Sequence, residues 1–269
     1  MTAQTLAEMR ALLERFGLRP RPSLGQHFLA DPNLTRRIVR EAQIVPGDLV
    51  LEVGAGTGTL TRALAEAGAS VTAVEVDERL QPVLEEVLAG LGVQLLIADA
   101  LSIDYRLLLG DASWKAVANL PYQVGTQLIL DWLRMVPAIS EITAMVQLEV
   151  AQRLAAEPGS DAYGLPSVIA RLHGRVKIAF RVPPHVFYPP PRVESAVVRI
   201  VRQPTPALAD RAVELAAAGF AQRRKMLRGS LSVILPHPER QLRMAGIDPT
   251  SRAETLSPED FLRLAEMAT

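Results

Sequence analysis

With 269 residues, 49% hydrophobic and 22% charged, the chain can bury a sizeable core, which excludes a disordered or fibrous protein and leaves room for one large domain and an appendage. The absence of cysteine excludes disulfides, thiolate nucleophiles and Cys-ligated zinc, and the four histidines (His27, His173, His185, His237) are too scattered for a metal site, so no metal is expected. The formal net charge is zero, no apolar run spans a membrane and the N-terminus lacks the apolar core of a signal peptide, so a cytoplasmic protein without a membrane partner is expected.

Along the chain the charge is uneven. Lys and Arg number 7 against 3 acids in residues 1–40, 6 against 17 in 41–161, 7 against 1 in 162–202 and 9 against 8 in 203–269. Two basic stretches thus flank an acidic middle, and if the fold brings them together they form a face able to meet phosphates; an ordinary solvated surface is the simpler alternative. The N-terminal MTAQTLAEMRALLERF reads as amphipathic. From residue 49 to 147, short β-rich runs (LVLEV, SVTAVEV, VQLLIAD, WKAVANL, ITAMVQ) alternate with helical stretches at Thr59–Ala67, Glu78–Leu88 and Gly125–Met135, the pattern of a parallel sheet covered by helices. Pro82 is compatible with the second helix if Asp77 caps it and Pro82 falls in the first turn. Two more strand-like runs, RVKIAFRV and SAVVRIVR, are separated by VPPHVFYPPPRVE, too long and proline-dense for a tight hairpin and stiff enough to fix side chains in place. RQPTPALAD reads as a linker, and the remainder looks helical.

The first parallel strand ends in LEVGAGTGTL. Glycines there permit positive φ and close approach of a ligand, whereas a dinucleotide fingerprint would require Gly in place of Thr59. The form G-x-G-x-G after the acidic Glu52 suits S-adenosylmethionine, whose cationic end needs room and negative charge. Glu75, ending the second strand, is placed to accept both ribose hydroxyls, and Asp99 ends the third, where open α/β sheets bind ligands. The fourth strand ends in Asn119-Leu120-Pro121-Tyr122. An adenine N6 is a poor nucleophile because its lone pair is delocalised into the ring. The Asn119 oxygen and a backbone carbonyl near Pro121 are suited to accept the two N6 hydrogens and favour tetrahedral geometry, and Tyr122 to stack on the flipped base. Seen alone, the tetrapeptide is also an ordinary strand-ending turn.

SLGQHFL, LEVGAGTGTLT, NLPY, FYPPPRVESAVVRI, FAQRRKMLRGSL and GIDPTSRAETLS together resemble the small-subunit (16S) ribosomal RNA adenine dimethyltransferases over nearly the whole chain. The resemblance implies a Rossmann-like α/β methyltransferase fold with a small C-terminal α-helical domain. It also implies S-adenosylmethionine bound by His27, Leu29, Gly54, Glu75, Asp99 and Asn119, with Gly56 in the same glycine turn, and a product dimethylated at N6 of two adjacent adenosines in a 3′-terminal hairpin. His27 departs from the Asn frequent in the family, and Met226 and Gly229 from the usual Thr and Asn. FAQRRKMLRGSL is expected to be a helix with Arg224 and Arg228 at i, i+4 and Arg223 and Lys225 beside them, a phosphate rail. Tyr122 and Phe187, the latter on the VFYPPP loop, are expected to sandwich the base. The expected organisation is a catalytic domain at 18–203 and an RNA-binding domain at 204–269, acting as a monomer in small-subunit biogenesis. The competing readings are a large-subunit rRNA adenine methylase, a non-enzymatic binding protein on the same fold, and, against Thr59, a nicotinamide dehydrogenase.

Overall fold

The computed structural model describes residues 4–268. The chain forms two compact units, Met1–Ala151 with Lys177–Val201, and Gln152–Val176 with Arg202–Thr269.

The first unit opens with α1 (Leu6–Arg15), started by a capping box in which Thr5 accepts from the Glu8 amide while the Glu8 carboxylate takes the Thr5 amide at 2.8 Å. Then follow β1 (Phe28–Leu29) and α2 (Pro32–Glu41), where Asp31 caps two amides and Pro32 occupies the first turn. The core of the unit runs β2 (Leu49–Val53), α3 (Thr59–Glu66), β3 (Ser70–Glu75), α4 (Gln81–Val87), β4 (Gln94–Ile97), α5 (Tyr105–Leu109), β5 (Trp114–Asn119), α6 (Gly125–Met135) and β6 (Ile139–Gln147). Asp77 caps a 3-10 turn at Glu78–Leu80, and Pro82 falls in the first turn of α4, as its φ requires. After α7 (Leu148–Ala155) and α8 (Leu165–His173) come β7 (Gly174–Val182), β8 (Phe187–Tyr188) and β9 (Ser195–Arg202).

Seven strands form one sheet in the order β4-β3-β2-β5-β6-β9-β7. The pairs β4/β3, β3/β2, β2/β5 and β5/β6 are parallel and β9 joins β6 antiparallel. The chain winds outward from β2 to β4 and resumes on the other side with β5, so the carboxyl ends of β2 and β5 diverge at the switch point where such sheets bind ligands. The proline-dense connector is more ordered than a loop reading implies. Its β8 pairs antiparallel with β1, Phe28 opposite Tyr188 and Leu29 opposite Phe187, in strands of two residues each, too short to carry a periodic signal.

In the second unit, α8 packs against α9 (Ala209–Ala221) and α12 (Pro258–Glu266), while α10 (Leu227–Ser230) packs against α9 and α11 (Pro238–Met244) against α10 and α12. Tyr163 is fully buried, its hydroxyl donates to the Leu256 carbonyl at 2.8 Å, and the Phe220 ring lies 5.9 Å from that of Tyr163 and 6.3 Å from that of Phe261. The Gly159 amide donates to the Glu254 carbonyl at 2.7 Å. These contacts tie residues 152–176 to the C-terminal helices, whereas the linker composition places a boundary at 203/204 and leaves this segment with the sheet.

Candidate active site

A cleft of about 230 Å³ opens at the switch point, lined by the ends of β2, β3, β4 and β5, by residues 24–27 before β1 and by Phe28 at its start. Of the residues expected to bind cofactor, His27, Gly54, Gly56, Glu75, Asp99 and Asn119 line it. Leu29 does not; it is 4% exposed and borders a smaller cavity beyond the glycine turn, together with Glu52 and Asn119.

Gly54 and Gly56 take φ of +81° and +58°. A Cβ on Gly54 would stand 3.3 Å from the Asn119 carbonyl oxygen and 3.3 Å from Pro121 Cδ, so this glycine is what lets the β2 turn lie directly against the β5 tetrapeptide. Glu75 is held firmly. Its Oε2 accepts from the Gly56 amide (2.8 Å) and its Oε1 from those of Val76 (3.0 Å) and Asp77 (2.9 Å). Three of its four lone-pair directions are thus taken by the backbone, so the expectation of two ribose hydroxyls on this carboxylate reduces to one open direction on Oε2. Burial pushes its pKa up, and the three amides pull it back. Beside it, Asp77 is held down at about 2, chiefly by its bonds to the Arg79 guanidinium, and accepts from Gln26 Nε2 at 2.9 Å, which ties the segment before β1 to the end of β3. Asp99 is exposed, and its Oδ1 accepts from the Leu101 amide.

Acidic Glu52, expected from the sequence to supply negative charge for the cofactor's cationic end, does not line the cleft. It is 1% exposed, its Oε2 has no hydrogen-bond partner among the described residues, and burial, with Glu75 nearby, raises its pKa to about 8. Gln4 was missed altogether. Its buried amide donates to the Thr57 carbonyl (3.2 Å) and accepts from the Thr59 hydroxyl (3.0 Å), bracing the glycine turn.

The tetrapeptide is poised as an acceptor site. Asn119 Nδ2 donates to the His27 carbonyl at 3.0 Å, which fixes the amide orientation and commits Oδ1 to accepting. The Pro121 carbonyl is already taken by the Val124 and Gly125 amides (3.2 and 2.9 Å) that start α6. The carbonyl left near Pro121 is that of Leu120, whose own side chain is 1% exposed and contributes packing. Tyr122 donates to or accepts from Ser195 Oγ at 2.6 Å, and burial pushes its phenol up, so it stays neutral. The His27 ring stacks on it at 5.5 Å and 29°, with His27 Nδ1 2.7 Å from the Pro189 carbonyl oxygen. One face of Tyr122 is therefore covered by His27.

Phe187 is not at the cleft. It is 2% exposed within the apolar cluster that includes Phe28, Leu29 and Val197, because its strand pairing with Leu29 points it into the core. It anchors the loop instead of offering a second stacking face.

The expected basic helix is broken. α9 ends at Ala221, Gln222 leaves helical geometry (φ −127°, ψ 57°), and α10 starts only at Leu227, whose amide donates to the Ser251 carbonyl at 2.8 Å while that of Arg228 donates to Pro249 at 3.1 Å. Arg224 and Arg228 therefore do not share an i, i+4 face. Arg223 pairs with Glu254 (2.8 Å) and Arg228 with Glu239 (3.2 Å), while Arg224 and Lys225 stand exposed on the turn between. Among the described residues no group of three or more His, Asp or Glu is gathered as metal ligands would be, and no helix is long and apolar enough to cross a membrane.

A family model described as ribosomal RNA adenine dimethylase matches residues 17–269. The chain is 46% identical to the ribosomal RNA small subunit methyltransferase A of Phenylobacterium zucineum, over 99% of this chain and 94% of that protein. It is also 46% identical to the protein of the same name from Mesorhizobium japonicum, over 98% and 99%. Among solved structures it is similar to the 23S rRNA methyltransferase ErmE (30% identity, TM-score 0.70, 90% of this chain and 99% of that one). A dimethyladenosine transferase from Plasmodium falciparum shares the fold (23% identity, TM-score 0.76, 88% and 96%). By the family match and these relatives, the chain belongs to the ribosomal RNA adenine dimethylase family.

Proposed function

We propose that this chain transfers methyl groups from S-adenosylmethionine to N6 of two adjacent adenosines in the 3′-terminal hairpin of 16S rRNA, within the small ribosomal subunit or its precursor. The observation that carries the reading is the committed Asn119 Oδ1 beside the Leu120 carbonyl and the Tyr122 ring: two acceptors and a stacking surface at one strand end. The cofactor fits the residues present. Its cationic amino-acid end and sulfonium are complemented by the Glu75 and Asp99 carboxylates, its ribose by the open direction on Glu75, and its apolar faces by Val76 and Leu101 at the rim.

Bound there, the cofactor would supply an electrophilic methyl on a sulfonium sulfur: each round would form one N6–C bond as the S–CH3 bond breaks, leaving a neutral thioether, with the N6 proton passing to water. Asn119 Oδ1 and the Leu120 carbonyl accept the two N6 hydrogens and draw the nitrogen lone pair out of conjugation. Tyr122, neutral and pinned between Ser195 and His27, holds the base by stacking, worth about 1–3 kcal/mol, and does so equally in the second round, when N6 keeps one hydrogen and one acceptor is idle. The first compact unit carries this chemistry; the second orients RNA, with Arg224 and Lys225 among its exposed cations. Acting on ribosomal RNA, the protein works in the cytoplasm, and nothing in the site requires a second copy.

The 46% identity over nearly full length to proteins named for the small subunit supports that substrate over the large subunit named for ErmE, at 30%. Transfer of labelled methyl to small subunits lacking dimethyladenosine, but not to large subunits, tests the assignment.

A further inference from the structure

The two basic stretches of the chain meet on the first compact unit. On α2, Arg36, Arg37 and Arg40 are all exposed, while the opposite side of the helix buries Thr35 and Ile38. On β7, the edge strand of the sheet, Lys177 and Arg181 are exposed. The elements touch: the Arg37 guanidinium lies 3.7 Å from the centroid of the Phe180 ring, and Lys177 Nζ is 2.7 Å from Glu41 Oε1. Arg36, Arg37 and Arg40 therefore share a surface with Lys177, more than a hundred residues away in sequence, with Arg181 further along the same edge strand and Glu41, bound to Lys177, the acid at the junction.

Packing does not require this arrangement, since α2 meets the core with its other side. Discouraging edge-to-edge pairing accounts for Lys177 and Arg181 on an edge strand, but not for three arginines on a neighbouring helix. Clustered like charges repel one another, a cost that a polyanion offsets. Stacking on Phe180 also holds the Arg37 fork flat and oriented, the geometry that suits a phosphate. The surface lies near the chemistry: Asp31, the cap of α2, is four residues after His27, and Arg36 is five further along a helix. At about 3.3 Å per extended residue and 1.5 Å per helical residue, Arg36 is within about 20 Å of the cleft.

We propose that α2 and the edge strand β7 form a second phosphate-binding face, which takes the RNA backbone flanking the target adenosine. This rests on the rRNA methyltransferase reading above, and the test separates the two. Wild type, R36Q/R37Q/R40Q and R36K/R37K/R40K are compared for binding to a naked 16S rRNA transcript and to small subunits lacking dimethyladenosine, between 50 and 200 mM potassium chloride. Calorimetry with S-adenosylmethionine confirms that the variants fold. Loss of about three phosphate contacts flattens the logarithmic salt slope by about 2.1–2.7, so wild type loses about 20–40-fold more affinity than the Gln variant over that range. The Lys variant, which keeps the charge, restores most of the slope. Identical slopes for wild type and the Gln variant, in a wild type that methylates subunits, would overturn the proposal and leave the enzymatic reading standing; a wild type that methylates neither substrate would overturn that reading. A loss confined to assembled subunits, with naked rRNA bound normally, would assign the face to a ribosomal protein and equally overturn it.

Discussion

Replacing Glu52 by Gln should change how stability depends on pH. Glu52 is 1% exposed, one of its oxygens has no partner, and Glu75 lies near, so its pKa rises from 4.5 to about 8, with burial the main cause and the Thr61 hydroxyl a partial offset. In the folded protein the carboxyl is therefore protonated below about pH 8, while in the unfolded chain it ionises near 4.5. The folded state binds the extra proton, so the contribution is fully present below 4.5 and is lost as pH rises through the window up to about 8, at up to about 1.4 kcal/mol per pH unit. Between pH 5.5 and 7.5 wild type loses about 2–3 kcal/mol that the neutral, isosteric Glu52→Gln variant does not. Trp114 and Trp132, the two tryptophans, both lie in the unit that holds Glu52, so tryptophan fluorescence in urea reports the relevant unfolding. The stability difference, E52Q minus wild type, should grow by that amount over the two pH units. A difference that stays constant would mean that Glu52 is ionised throughout, and the burial argument would fail.

Glu75→Ala is expected to weaken S-adenosylmethionine binding by about 1–3 kcal/mol in calorimetry, and also to lower the melting temperature, because the Gly56, Val76 and Asp77 amides lose their acceptor. Gln4→Ala should cost about 1–3 kcal/mol of stability by stranding the Thr57 carbonyl and the Thr59 hydroxyl, and should raise KM for the cofactor but not for RNA. Phe187→Ala should destabilise by about 3–5 kcal/mol in urea titration, as loss of a buried ring does, while the mono- to dimethyladenosine ratio at matched turnover stays that of wild type. His27→Ala, which uncovers Tyr122, should instead raise that ratio; an unchanged ratio would remove His27 from the support of the second transfer. Neutralising Arg224 and Lys225 should flatten the salt slope of RNA binding by about 1.4–1.8, whereas Arg223→Gln, which breaks a pair with Glu254, should act mainly on stability.

Much of the sheet is legible in the sequence for a physical reason. Strands buried on both faces must be built of aliphatic and β-branched residues, and the five parallel strands announce themselves that way, as the positive-φ glycines announce the turn after β2. What escaped depends on contacts far apart in sequence. Nothing within FAQRRKMLRGSL breaks a helix by composition, yet carbonyls from the GIDPTS segment capture the amides of Leu227 and Arg228 and restart it. Phe187 looks like a free loop aromatic until its pairing with Leu29 turns it inward. The Asn119 side chain was legible as an acceptor from chemistry alone, but which carbonyl accompanies it was not, because Pro121 spends its own on the first turn of α6.

On the proposed reading, one cleft methylates the same adenine nitrogen twice on two neighbouring nucleotides of the small-subunit RNA. Small subunits from cells lacking dimethyladenosine, incubated with the protein and S-adenosylmethionine, can be digested and mapped by mass spectrometry. N6,N6-dimethyladenosine is expected at two adjacent positions near the 3′ end of 16S rRNA, lost in Asn119→Ala although that variant still folds. Methylation confined to 23S rRNA, a product that stops at one methyl per adenine, or full activity in Asn119→Ala would contradict it.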